Sequence, residues 1–109
     1  MNKMMMSRAA SALLRALLDR AGDYKNRILL TGIGSVDWQS LTFTGEQHRI
    51  LLRITGDRVD DVVQLLTFEL EETEFVIPGQ IVADISAGNP IRSADGSVHI
   101  RIDALTIAE

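Results

Sequence analysis

Apolar residues recur at helical spacing over the first part of the chain. From residue 4 to residue 21 they form one stripe, and Arg8, Arg15 and Asp19 lie mostly away from it. This period predicts an amphipathic helix, and Gly22, directly after the last apolar position, predicts its C-terminal end. The stripe consists of Met6, Ala10, Leu13, Leu14, Leu17, Leu18 and Ala21.

A strand and a hairpin are predicted after this helix. Residues 27–36 are almost continuously apolar, which is typical of a strand buried on both faces or of a strand bent at Gly32 and Gly34. Residues 38–55 alternate between polar and apolar side chains on both sides of a Thr-Gly-Glu turn at 44–46, which predicts a hairpin. The alternating apolar positions are Leu41 and Phe43 on the first arm, and Ile50, Leu52 and Ile54 on the second.

A second helix is predicted after Gly56. Asp57 and Asp60 have the spacing of a capping box, and the apolar residues that follow have a helical period. The end of this helix is poorly defined, because glutamates follow where the helix dipole disfavours negative charge. The stripe is Val59, Val62, Val63, Leu66 and Leu70, and the glutamates are Glu69, Glu71, Glu72 and Glu74.

Two strands are predicted in the last third of the chain. Pro78-Gly79 predicts a turn into the first, in which Ile81, Ala83 and Ile85 share one face. A polar loop over residues 88–97 separates it from the second. In that second strand Val98, Ile100 and Ile102 share a face, but beyond Ala104 the apolar residues Leu105 and Ile107 have the opposite parity. A bulge or a change of burial near Ala104 would explain the switch.

These elements predict a single α+β domain over residues 1–109. The order is α-β-β-β-α-β-β, with a mainly antiparallel sheet of about five strands and two helices packed on one face. The length is sufficient for one hydrophobic core. No internal repeat or low-complexity linker divides the chain.

Composition narrows the classes of function. The absence of cysteine excludes disulfides, thiolate catalysis and cysteine-based zinc sites, and it agrees with a cytoplasmic location. Charged residues interrupt every apolar run at the N-terminus, so we expect neither a signal peptide nor a membrane partner. The net charge of −4 argues against nucleic-acid binding.

The charge is unevenly distributed along the chain. Residues 1–54 contain eight Lys/Arg and four Asp/Glu, a formal charge of +4. Residues 55–109 contain three Lys/Arg and eleven Asp/Glu, a formal charge of −8. This asymmetry suggests contacts between oppositely charged surfaces.

The two histidines are the first candidates for chemistry. His48 and Glu46 are predicted at a hairpin tip, and His48 has the parity of Ile50, so it is expected at the edge of the core rather than as a general base or metal ligand. His99 is expected on the polar side of the last strand. A metal cluster of both histidines with Asp84 or Asp103 is an alternative, but no spacing requires it. We therefore predict no catalytic residue, metal or cofactor.

Other polar segments have structural interpretations. Gly-Ile-Gly-Ser at 32–35 lacks the third glycine and the following helix of a phosphate loop, so a kinked strand is preferred. No serine has a nucleophile-elbow pattern. Trp38 is expected as a core or interface anchor. The predicted interaction surface comprises Trp38, His48, Glu69, Glu71, Glu72 and Glu74.

The order of these segments resembles the small tail-terminator or tail-completion proteins of long-tailed phages and gene transfer agents. The resemblance lies in ALLRALLDRAG, DWQSLTFTGEQHRILLRIT, DDVVQLLTFEL and DGSVHIRIDALTIAE. It implies a protein that forms a ring at the top of the tail tube, stops tube growth and joins it to the capsid. Tail and capsid proteins would then be partners, and the protein would be virion-associated.

Three functional hypotheses follow from the sequence. The preferred one is a non-catalytic assembly protein that forms a ring or another homo-oligomer. The second is a dimeric, ferredoxin-like α+β module that binds a small ligand or performs cofactor-free chemistry. The third is an adaptor domain whose glutamates at 69–74 bind a basic protein.

Overall fold

The computed structural model describes residues 5–109, which form two helices on one face of an antiparallel sheet. The predicted α+β class is therefore confirmed. The helices are α1 (Arg8–Asp19) and α2 (Val59–Thr67), and 3-10 turns occupy Gly22–Arg27 and Leu70–Glu72. The strands are β1 (Ile28–Gln39), β2 (Thr44–Ile54), β3 (Gln80–Ala87), β4 (Ile91–Arg92) and β5 (Val98–Ala108).

The sheet has the strand order β1-β2-β5-β3, and the short β4 also pairs with β5. The pairing of β2 with β5 runs without interruption from Ile54 opposite Val98 to Gly45 opposite Ile107. The observed element order is α-β-β-α-β-β-β. The predicted order is thus wrong in detail, because one strand fewer precedes α2 and one more follows it within the predicted loop at 88–97.

The predicted hairpin turn at residues 44–46 is wrong. β1 continues to Gln39, the loop comprises Ser40–Phe43, and Gly45 lies inside β2. Leu41 and Phe43 are exposed loop residues, so their alternation with polar residues does not reflect a buried strand face. A Cβ on Gly45 would lie 2.0 Å from the carbonyl oxygen of Thr106. The glycine is therefore needed for the close approach of β2 to β5.

The core lies between the helices and one face of the sheet. Leu13 and Leu17 of α1 pack with Val62 and Leu66 of α2 over the strands. The predicted apolar stripes of both helices therefore point into the core, as amphipathic periodicity requires. The sheet contributes Ile28, Ile50, Leu52, Ile54, Ile85, Val98, Ile100, Ile102 and Ala104.

The first helix is bounded by local signals. Ser7 is its N-cap, and its hydroxyl oxygen accepts a 3.1 Å hydrogen bond from the amide of Ala10. Gly22 has a φ of +57°, which confirms the predicted stop and is a conformation that glycine adopts without strain. The predicted start at Met4 lies outside the described residues.

The second helix begins without the predicted capping box. Its N-cap is Arg58, at a φ of +60° with no side-chain cap, and Asp60 instead pairs with Arg92 at 2.6 Å. The helix ends at Thr67, before the glutamates. The Arg20 guanidinium donates to the carbonyl oxygens of Leu65 and Phe68. A cation thus lies at the helix C-terminus, where the dipole favours positive charge.

Two register shifts change which residues face the core. In β1 the shift lies between Leu30 and Gly32, so this strand is bent rather than buried on both faces. In β3 it lies between Val82 and Asp84, so the predicted sharing of a face by Ile81, Ala83 and Ile85 is wrong. β5 is regular, and its parity switch is a change of burial: Ala104 and Thr106 continue on the core side, whereas Leu105 and Ile107 lie on the opposite side. No helix within residues 5–109 has the length and apolar composition to cross a membrane.

Candidate functional site

One face of the sheet carries no helix, and we call it the uncovered face. Alternation along each strand assigns its residues, because successive side chains point to opposite sides of a sheet. It comprises Leu29, Gly32, Gly34, Val36 and Trp38 of β1; Gly45, Gln47, Arg49, Leu51 and Arg53 of β2; His99, Arg101, Asp103, Leu105 and Ile107 of β5; and Ile81, Asp84, Ser86 and Ile91 of β3 and β4.

Exposed apolar residues lie at both ends of the uncovered face. Trp38, Ile107 and Ile81 lie in one cross-strand row at the first end, and Leu29 and Ile91 lie on the outer strands at the other, with Arg53 and His99 between them. Ile81, Leu29 and Ile91 are 53%, 49% and 67% exposed. A solvated sheet face normally carries polar side chains, whereas exposed apolar clusters mark interaction sites. This face therefore has the composition of a binding surface.

The middle of the uncovered face is charged. Asp103 accepts hydrogen bonds from Arg49 Nε at 3.1 Å and from Arg101 Nε at 2.9 Å. A shallow concavity of about 540 Å³ lies beside these groups, because Gly34 contributes no side chain there. Asp84 and Leu105 line its other side. The surface therefore combines a paired ionic centre with apolar ends.

His48 lies on the core side of the same sheet. It is only 3% exposed, Nδ1 lies 2.7 Å from Ser35 Oγ, and Nε2 lies 2.8 Å from Thr106 Oγ1. The imidazole thus joins β1, β2 and β5. Burial lowers its pKa, and the negative charge of Glu46 opposes this shift only in part. His48 lies within β2 and not at a hairpin tip, so that prediction is wrong, whereas its core-side parity is confirmed. Its burial gives no support to its predicted place in an interaction surface.

The chemistry available to His48 is limited by its partners. A catalytic triad uses a carboxylate to orient the imidazole and to stabilise its charged form. Here the third group is the neutral hydroxyl of Thr106. Glu46 is not hydrogen-bonded to the ring, because its Oε1 accepts from Ser7 Oγ at 2.8 Å and so fastens the start of α1 to β2. The arrangement satisfies buried polar atoms without assembling an acid–base pair.

The alternative metal cluster is not formed. His99 lies on the uncovered face, opposite Arg53, whereas the imidazole of His48 is on the core side. The two rings therefore cannot bind one ion. Among residues 5–109 no group of three His, Asp or Glu side chains could hold a metal. Residues 32–35 continue as β1, so the interpretation as a kinked strand is confirmed over that as a phosphate loop.

The strand order separates the two halves of the chain. β1 and β2, from the basic half, form one side of the sheet, and β5, β3 and β4, from the acidic half, form the other. The turn that contains Lys25 packs against β1, and the turn that contains Glu71 and Glu72 packs against β3. We call these regions the basic side and the acidic side.

Several charges on the two sides have no ion-pair partner within residues 5–109. On the acidic side the glutamates are all exposed and form no salt bridge there. The same holds for Lys25 on the basic side and for Arg8 and Arg15 of α1. The glutamates are Glu69, Glu71, Glu72 and Glu74.

Trp38 is half-buried at the end of β1, on the uncovered face. This position suits an interface anchor and not a core anchor. β1 is at the opposite edge of the sheet from β3, beside which Glu71 and Glu72 lie. Sequence reasoning missed the remainder of the uncovered face. The signal was present in Leu105 and Ile107, whose parity differs from that of the core residues of β5.

Comparisons with known proteins add no relative. No protein-family model, no curated protein and no solved structure matches the chain.

Proposed function

We propose that this protein is a non-catalytic assembly protein whose copies join head to tail in a homo-oligomer. The observation that carries the proposal is that the strands of the basic half and the strands of the acidic half lie on opposite sides of the sheet. A head-to-tail contact places two different surfaces of the same chain together. Opposite charges on those surfaces favour the contact and fix its orientation.

The unpaired charges support this arrangement. Lys25 precedes the edge strand β1, and Glu71 and Glu72 lie beside the opposite edge strand, β3. A copy placed with its basic side against the acidic side of its neighbour leaves the same two sides free at the ends of the pair. Such contacts repeat, and they close into a ring when the rotation between copies allows it.

A role without catalysis agrees with the geometry around His48. Its two nitrogens are held by hydroxyl groups inside the fold, and the neighbouring carboxylate of Glu46 is bonded to Ser7. A phage-like tail terminator is the specific form of the proposal, and it rests on the resemblance of the sequence segments. In that form the ring would contact tail and capsid proteins.

Charge reversal tests the proposal. We expect wild-type protein to show a molar mass well above that of one chain by light scattering at low salt, and a lower mass at high salt because exposed charges are screened. Glu71→Lys with Glu72→Lys should abolish the large species. Asp23→Lys with Asp37→Lys, the same change of charge on exposed residues of the basic half, is the control and should preserve it.

Mixing two variants makes the test specific. Arg15→Glu with Lys25→Glu should also prevent assembly, because acidic surfaces would then meet. When this variant is mixed with the Glu71→Lys, Glu72→Lys variant, each reversed side finds a complementary neighbour. Recovery of the large species in the mixture supports head-to-tail contacts, and a mixture without the large species would refute them.

A further inference from the structure

The uncovered face has the size of a stable protein interface. Neighbouring strands lie about 4.8 Å apart, and each strand rises about 3.3 Å per residue. Four strands as long as β2 therefore form a face of about 700 Å². A standard interface buries about 800 Å² per partner. Both helices described in residues 5–109 pack on the opposite side of the sheet, which leaves this face open to a second sheet.

The apolar residues of this face extend from one end to the other rather than forming a single spot. Trp38 and Ile107 lie eight residues along β2 and β5 from the row that contains Leu29. A small ligand would cover one cluster, whereas a partner that covers both must itself be a long, flat surface. A second sheet has that shape, and a second copy of this chain supplies one with the same apolar ends.

The charges of the face decide how the two copies face each other. With a two-fold axis perpendicular to the strands, each strand lies over its own counterpart, and Arg49 meets the partner's Arg49. With the axis parallel to the strands and between β2 and β5, β2 of one copy lies over β5 of the other, and β1 lies over β3. Arg49 then lies over the partner's Asp103, and this contact occurs twice by symmetry.

We infer that the uncovered face is a second interface, at which two copies pack face to face around a two-fold axis that runs along the strands between β2 and β5. The Trp38 end of one copy covers the same end of the other, so apolar residues meet apolar residues. The strands of packed sheets cross at about 30°, which displaces the corners but leaves the row of Arg49 and Asp103 close to the axis.

This inference goes beyond the proposed head-to-tail contact, since the two interfaces use different residues. The ion pair of Arg49 and Asp103 is exposed in a single chain and has little effect on its stability there. Between two sheets it loses water, and its complementarity becomes important for association. The dimer should accordingly be less sensitive to salt than the head-to-tail contact.

The test uses the full chain with Glu71→Lys and Glu72→Lys, which removes the head-to-tail contact. Sedimentation equilibrium should still detect a dimer. Adding Arg49→Asp or Asp103→Arg should weaken it about tenfold or more, because like charges would then face each other. Asp19→Arg, the same size of charge reversal on an exposed residue of α1 and away from this face, is the control and should leave the dimer unchanged.

Mixtures and stability measurements complete the test. An equimolar mixture of the Arg49→Asp and Asp103→Arg chains should recover the dimer, and each variant should melt within a few degrees of its parent. A monomer in the Glu71→Lys, Glu72→Lys background would overturn the inference without affecting the head-to-tail proposal. A dimer that Arg49→Asp leaves intact, or a mixture that stays monomeric, would overturn it as well.

Discussion

The two faces of the sheet are built from alternate residues of the same strands, yet they differ in chemistry. On the core side, Ile50, Leu52 and Ile54 are sealed beneath the helices, and the one buried imidazole, His48, has both nitrogens bonded. On the uncovered face, Arg49 and Leu51 lie in water. The comparison shows that side chains on one face are buried with their polar atoms hydrogen-bonded, whereas charged and apolar side chains on the other face remain exposed.

The largest difference in the free energy of unfolding should appear between alanine substitutions of two neighbouring leucines. Leu52 is 1% exposed and Leu51 is 39% exposed. Leu52→Ala should lower the free energy of unfolding by about 2–5 kcal/mol, because it leaves a cavity in the core. Leu51→Ala should change it by about 0.5 kcal/mol or less. Chemical denaturation at a protein concentration at which the chain is monomeric measures both, and equal losses would show that Leu51 is as buried within one chain as Leu52.

Alanine substitutions of two glycines should give the next largest difference in stability. Gly45→Ala should cost about 1–3 kcal/mol, because its Cβ would collide with the carbonyl of Thr106 and force β2 away from β5. Gly34→Ala is the matched control, since a Cβ there meets no atom within 4 Å. It should leave thermal stability nearly unchanged. A stable Gly45→Ala protein would contradict the close strand approach.

The titration of His48 should give a smaller effect that depends on pH. Burial holds its pKa below the ordinary value of 6.5, so the folded chain binds fewer protons than the unfolded chain. Stability should therefore decrease as the pH falls below 6.5, and the decrease should end once the pH is below the pKa of the folded state. Denaturation at a series of pH values measures it.

Two variants isolate this effect. His48→Gln should remove the loss of stability between neutral and mildly acidic pH, because its side chain does not titrate. His99→Gln, on the uncovered face, is the control and should retain the loss. A pH dependence that persists in His48→Gln would assign it to another group.

The smallest effect concerns a loop at the rim of the uncovered face. Asp95 accepts hydrogen bonds from the hydroxyl and amide of Ser97 and from Arg53, and these contacts lower its pKa to about 2. These contacts stabilise the folded chain above pH 3.8, the ordinary pKa of an aspartate, and this stabilisation is lost as the pH falls towards 2. Ser97→Ala should raise the pKa of Asp95, as an NMR titration would show. An unchanged value would contradict the role of Ser97.

The helices were predictable because a 3.6-residue period is a local property of the chain. The stripes of α1 and α2, the stop at Gly22 and the turn at Pro78-Gly79 all follow from neighbours in sequence. The hairpin was not predictable in this way. Leu41 and Phe43 alternate with polar residues like a strand, and Gly45 suggests a turn, but only the contact with Thr106 in β5 explains that glycine.

The candidate surfaces depend on strand order, which the sequence does not contain. The charge difference between the halves of the chain is visible by counting. Its separation in space arises because β2 and β5 pair at the centre of the sheet. The register likewise places Ser35 and Thr106 against His48 and Arg49 against Asp103. Only the parity of Leu105 and Ile107 indicated in advance that a second face is apolar.

The central claim is that the surfaces of this protein act by contacting other copies of the chain. The most direct test is the molar mass of the unmodified protein measured by light scattering over a range of protein and salt concentrations. We predict a mass several times the 12.0 kDa of one chain at low salt and a smaller assembly, no less than a dimer, at high salt. A mass of 12.0 kDa under every condition would contradict the claim.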